Sequence, residues 1–149
     1  MYLGQKITSV EGRYGRIFIP DINDTIANSL REYGEWAQCE IDVLLKFISR
    51  GDVVIDGGAC FGTHSRAFAS KVGAEGKVLS FEPSPRNYDL LSKNASASSV
   101  ANISTFKLAL GEVELTAVSV EVDPINGGAT KVDLISARDA PPGDPSTRP

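Results

Sequence analysis

Apolar and polar residues alternate, then recur at helical spacing, then alternate again along this chain, and each change of period marks an element. GRIFIP (Gly15 to Pro20) reads as a short strand ended by proline. After Asp24, a good N-cap, Ile26, Ala27, Leu30 and Tyr33 recur at helical spacing and Gly34 stops the run. Trp36, Val43, Leu44, Phe47 and Ile48 mark one apolar face of a second helix, ended by Gly51. From Asp52 the order becomes strand, glycine turn, helix, strand, helix, strand. DVVID (52–56) is a short β-branched run of the kind found in buried parallel strands. Thr63 to Val72 predicts a helix with Phe68, Ala69 and Val72 toward the sheet, and Gly73 and Gly76 beyond its end. KVLSF (77–81) is the next strand. Ser84 caps a helix with Pro85 in its first turn and Tyr88, Leu91 and Ala95 on its face, and Ile103 to Leu108 closes the series.

Strands and helices alternating at this spacing form βαβ units, whose right-handed crossovers give an α/β fold with a parallel sheet and helices on both faces. After Gly111 the pattern turns all-β. ELTAVSVEV and TKVDLI flank Asn126-Gly127-Gly128, which predicts a hairpin over 115–135 with a tight turn at the glycines. The last fourteen residues, SARDAPPGDPSTRP, hold four of the chain's eight prolines and nothing more apolar than alanine, so 136–149 is expected to be a disordered tail. The resulting division is residues 1–50 as a leading strand and helices, 51–135 as a partial nucleotide-type domain with its hairpin, and the tail.

Composition narrows the function classes. A length of 149 residues suits one domain with one core, and 42% hydrophobic with 23% charged residues is ordinary for a globular protein. A formal charge of −4 offers no basic footprint, so a nucleic-acid partner is not expected. No apolar run is long enough to span a bilayer and the N-terminus lacks a signal-peptide core, so no membrane partner is expected either. Cys39, Cys60 and His64 are too few for a metal cluster and lack CxxC spacing; they read as reduced thiols and an isolated histidine in a cytoplasmic protein.

The chemistry gathers at VVIDGGACFGTHS (53–65). A glycine turn at the carboxyl end of the first strand of a βαβ unit lets backbone approach a ligand, and the acid closing the second strand reaches ribose hydroxyls. Glu82 stands there, twenty residues after Gly62 and directly after KVLSF. A dinucleotide turn reads G-x-G-x-x-G, and Asp56-Gly57-Gly58-Ala59-Cys60-Phe61-Gly62 does not match it. An acid two residues before one glycine and six before another instead resembles the D-x-G-x-G-x-G turn of class I S-adenosylmethionine (SAM) methyltransferases, with Cys60 where the middle glycine is usual.

The wider stretch from Gly15 to about Gly128 is similar to the FkbM family of methyltransferases. Three features carry the resemblance: Tyr33-Gly34-Glu35-Trp36, Asp56-Gly57-Gly58-Ala59, and Phe81-Glu82-Pro83-Ser84-Pro85. It implies a Rossmann-like fold, SAM as cofactor, and methyl transfer to a hydroxyl of a small-molecule acceptor such as a sugar or natural product. It also implies cofactor contacts from Asp56, Gly57, Gly58, Ala59, Gly62, Thr63, His64, Glu82 and Pro83, with no metal. No residue is marked as catalytic: nothing near His64 in sequence orients it as a base. Tyr33, Glu35 and Trp36 either fold over the cofactor or, for Trp36, pack into the core.

The family continues into a fourth parallel strand ending in a pattern like D-L-I-K-I-D-V-E-G. Here Lys131-Val132-Asp133-Leu134-Ile135 begins similarly and then departs, so a chain lacking the acceptor wall is expected. The alternative is a Rossmann-like module that binds an adenosine ligand or a partner without catalysis. Without a fourth strand, the strand at 52–56 lies at an edge that either the hairpin at 115–135 folds back over or a second chain covers, and self-association through that edge is expected.

Overall fold

The computed structural model describes residues 6–111, 118–121, 123, 125–129 and 131–134. It opens with an antiparallel hairpin, β1 (Ile7–Gly12) and β2 (Gly15–Pro20), in the register Ile7 to Pro20 through Gly12 to Gly15. The sequence reading found β2 and missed β1. No residue of β1 is fully buried, whereas Ile17, Ile19 and Pro20 of β2 are, so only β2 carries a clear apolar signal.

Helix α1 (Thr25–Tyr33) begins and ends as its sequence dictates. Asp24 accepts a hydrogen bond from the Ala27 amide at 2.9 Å, and Gly34 takes the left-handed φ of 71° that closes the helix. Helix α2 (Gln38–Leu44) corrects the expected apolar face: only Ile41 is buried, and Val43, Leu44 and Phe47 face outward, Phe47 at 81% exposure. The chain leaves the helix after Leu44, and Leu45 and Ile48 then pack beneath the sheet.

Strands β3 (Val53–Gly57), β4 (Lys77–Phe81) and β5 (Ile103–Phe106) form a parallel sheet in that order, with Val54 beside Val78 and Val78 beside Ile103. The third strand therefore stops at Phe106, short of the expected Leu108. Helices α3 (Thr63–Val72) and α4 (Pro85–Ser96) are the crossovers. Phe68, Ala69 and Val72 of α3 pack on Val54, Val78 and Ile103, the face assignment that the periodicity predicts. Ser84 and Pro85 open α4 as expected, but its buried face is Asn87, Leu90, Leu91 and Asn94 rather than Tyr88, Leu91 and Ala95.

The parallel α/β sheet flanked by helices is thus present, as expected. At β3 the face opposite α3 is uncovered: Val53 and Ile55 are 66% and 63% exposed. β3 is also an edge of the described sheet, as the sequence reading anticipated. Phe81 and Phe106 stack on that same open face, with ring centroids 4.8 Å apart.

Strands β6 (Val118–Glu121) and β7 (Lys131–Leu134) form the expected antiparallel hairpin within 115–135. Their connection is not the expected tight turn. Neither Gly127 nor Gly128 has positive φ; both lie in a short 3-10 turn, Gly127–Ala129. Gly127 is held by its contacts: its amide donates to Asp24 at 2.7 Å and its carbonyl accepts from Asn87 at 2.9 Å. The expected tail, 136–149, lies outside the described residues.

Candidate cofactor site

The turn after β3 is shaped by left-handed residues and closed by its own hydrogen bonds. Gly58, Cys60 and Gly62 have φ of 82°, 49° and 85°. Cys60 thus adopts the conformation that favours glycine, which accounts for glycine being usual there. At Gly62 a Cβ would sit 2.9 Å from Leu91 Cδ1, so a side chain is excluded by both conformation and space. The amides of Gly58 and Ala59 both donate to the Phe81 carbonyl, at 2.9 and 3.0 Å, which ties the turn to the end of β4.

Glu82 completes that tie from below. Its carboxylate is 3% exposed, accepts from the Cys60 amide and the Ser84 amide at 2.9 Å each, and is further bonded by the Asn87 side chain. Burial pushes its pKa up, partly offset by these hydrogen bonds. Asp56, at the end of β3, accepts a short hydrogen bond from Ser65 Oγ and another from the Ser65 backbone in the first turn of α3. Ser65 Oγ also lies 2.8 Å from Ser80 Oγ on β4. Burial raises the Asp56 pKa as well, against the pull of Ser65 and the nearby His64.

These bonds decide which ligands the turn suits. The amides of Gly58, Ala59, Cys60 and Gly62 are all spent inside the protein, and a carboxylate already occupies the start of α3. A pyrophosphate needs such N–H groups free. Two buried carboxylates at the ends of neighbouring strands favour a ligand with positive charge and hydroxyl groups instead.

Asp56, Gly57, Gly58 and His64 line one groove of about 390 Å³ between α2 and α3, beside the open edge of β3. The other predicted cofactor residues lie elsewhere. Ala59 is buried under the turn, Gly62 packs on α4, and Glu82 and Pro83 sit at the end of β4. Thr63 faces a separate, water-sized cavity of about 20 Å³ with Tyr14, Trp36 and Arg66. Arg66 is itself buried, donating to the carbonyls of Asn94 at 2.8 Å and Tyr14 at 2.7 Å.

The Tyr33 to Trp36 stretch lines no part of the groove. Trp36 packs on the core around β2, α1 and Phe61, Glu35 pairs with Arg13 at 2.9 Å, and Tyr33 is 70% exposed. The groove's far wall is Glu40 and Leu44 of α2 with Phe47 just beyond its end; Leu44 and Phe47 were expected on a helix's apolar face, and Glu40 was not singled out. Glu40 Oε2 lies 4.0 Å from His64 Nε2.

Cys60 is buried and its thiol is pushed far up by burial and by Glu82, so it fills space rather than acting as a nucleophile. Among the described residues no cluster of three metal-ligating side chains occurs, and no helix is long and apolar enough to cross a membrane.

No protein-family model matches the chain, and no curated protein matches it. Solved structures similar to it include a SAM-dependent methyltransferase from Aquifex aeolicus, at 19% identity over 51% of this chain and 42% of that one, with a TM-score of 0.45. A SAM-dependent O-methyltransferase from Thermotoga maritima matches at 15% identity over 68% and 40%, TM-score 0.47. Fibrillarin from Aeropyrum pernix, solved with natively bound S-adenosyl-L-methionine, matches at 17% identity over 73% and 42%, TM-score 0.42. The chain spans about two-fifths of the length of each of these proteins.

Proposed function

We propose that this chain binds SAM and carries the cofactor half of a SAM-dependent methyltransferase of FkbM type, acting on a hydroxyl of a small molecule. The carrying observation is the pair of buried carboxylates, Asp56 and Glu82, at the ends of adjacent parallel strands around a turn whose amides are already bonded. That arrangement, with the Gly58, Ala59, Cys60 and Gly62 amides already bonded, suits the sulfonium, ammonium and ribose of SAM better than a phosphate. The sequence resemblance at 33–36, 56–59 and 81–85 supports the same reading.

SAM supplies an electrophilic methyl group when bound. The chain's contribution is positioning, an effect worth up to about 7–11 kcal/mol when reacting atoms are held in line. Gly57 and Gly58 allow close backbone approach, Asp56 supplies negative charge, and Glu82 holds the turn and is assigned the ribose. The second reading, a binding module without catalysis, is favoured by the open side of the groove along the β3 edge.

Calorimetric titration with SAM, S-adenosylhomocysteine (SAH) and NAD tests the cofactor assignment. SAM and SAH should bind and NAD should not. Replacement Glu82→Ala should weaken SAM by about 1.5–3 kcal/mol, the loss of a charge-assisted hydrogen bond. Tighter binding of NAD than of SAM would overturn the reading. A methyl-transfer assay with labelled SAM on mixed sugar and phenol acceptors separates the enzyme from the binding module.

A further inference from the structure

The groove has three ionisable groups in its lining, each from a different element: Glu40 of α2, Asp56 at the end of β3, and His64 of α3. The rest of the lining is backbone glycine and the apolar Leu44, Phe47, Ile48, Val54, Ile55 and Phe68. His64 is held in place. Its ring packs edge-on against Phe68, with centroids 6.0 Å apart, and its Nδ1 lies 3.4 Å from Thr63 Oγ1. Its Nε2 has no hydrogen-bond partner among the described residues and points toward Glu40 at 4.0 Å.

We propose that Glu40 and His64 set the charge selectivity of this groove: neutral His64 leaves Glu40 and Asp56 free to hold a sulfonium-bearing ligand, and protonated His64 offsets one of their two charges. The inference rests on the SAM assignment and adds two residues with named roles to it. Glu40 is a specificity residue reached only through the fold, since it lies 16 residues from Asp56 in the chain.

The physical reason is local charge balance. With His64 neutral the lining carries two carboxylates and no cation, so a ligand of net positive charge is favoured over a neutral one of the same shape. SAM and SAH are such a pair, differing by one methyl group and the sulfonium charge. With His64 protonated, one of the two carboxylate charges is offset by the imidazolium 4.0 Å from Glu40, and the preference shrinks. By linkage, a ligand that prefers the neutral imidazole must also lower its proton affinity.

The test needs no acceptor, and the chain's single histidine gives an unambiguous probe. Titration calorimetry with SAM and with SAH is run near pH 5.5 and near pH 8 on the wild type and on Glu40→Gln and His64→Asn, and the His64 ring resonances are followed by NMR across the same range. The SAM-to-SAH affinity ratio should rise by about two- to fivefold from the lower to the higher pH, as expected for one partly exposed charge pair. His64→Asn should abolish that rise; a rise that persists in this variant would assign the pH dependence to the buried Asp56 and overturn the inference. Glu40→Gln should lower SAM affinity at high pH while sparing SAH, and SAM should shift the His64 titration downward more than SAH does. Both ligands binding with a ratio indifferent to pH and to Glu40→Gln would overturn this inference and leave the cofactor reading standing. Binding of neither ligand to the wild type would overturn both.

Discussion

Asp56 pays for its position with solvation, and that cost has a measurable pH signature. Its carboxyl is buried, which raises its pKa from the ordinary 3.8, and the two bonds from Ser65 only partly offset the rise. A carboxyl raised on folding binds its proton more tightly in the folded state. Its stabilisation is therefore complete below the unfolded value and is lost as pH rises through the folded one, the reverse of a salt-bridged aspartate. The variant Asp56→Asn does not titrate. Relative to it, the wild type should lose stability as pH rises from the ordinary 3.8 through the raised folded value, measured by urea unfolding at each pH. A wild-type advantage that grows with pH would show that the Ser65 bonds outweigh burial. The turn residues around Asp56 were legible in the sequence because glycine spacing and a preceding acid are local features. The inward use of Glu82 and of the turn amides was not, because it depends on where β4 lies.

At the level of elements, the part of the fold hardest to see in the sequence is held by buried asparagines. Asn94 on α4 is fully buried, accepts from the Phe18 amide at 2.7 Å, and donates to the carbonyls of Phe18 and Phe61 at 2.9 and 2.8 Å. It fastens β2 and the glycine turn to α4 with one side chain. Replacement Asn94→Ala leaves those buried backbone groups unpaired and should destabilise the protein by about 3 kcal/mol in urea unfolding. A loss within experimental error would mean that water replaces the amide. Asn102 has a similar part, donating to the carbonyls of Ala69 and Gly73 at the end of α3. In sequence such residues look like surface, which is why the buried face of α4 was misplaced by one position. Helix ends were read correctly where a cap residue set them, at Asp24, Gly34 and Ser84.

For the whole molecule, the open face of β3 and its edge, unpaired among the described residues, are the dominant feature. Val53, Ile55 and Gly57 direct their backbone groups away from β4, since Asp52 and Gly58 are bonded toward it. An apolar edge strand with Val53 and Ile55 exposed recruits another strand unless it is blocked. The chain should therefore self-associate as concentration rises, with light scattering giving a mass above 15.9 kDa. Replacement Ile55→Lys, which places a charge on that strand, should restore the monomer mass. A wild type that stays monomeric at all concentrations would show that the edge is protected.

The sequence by itself determined the order of the βαβ units, the capped helix ends and the glycine turn with its acid, because each depends on residues a few positions apart. Tertiary structure alone decided that the turn after α2 leaves Phe47 outward, that β1 joins β2, that Gly127 seats against Asp24 and Asn87, and that Glu40 meets His64. Those outcomes depend on groups brought together from distant parts of the chain, where burial, steric fit and unpaired backbone groups decide which partner each residue takes.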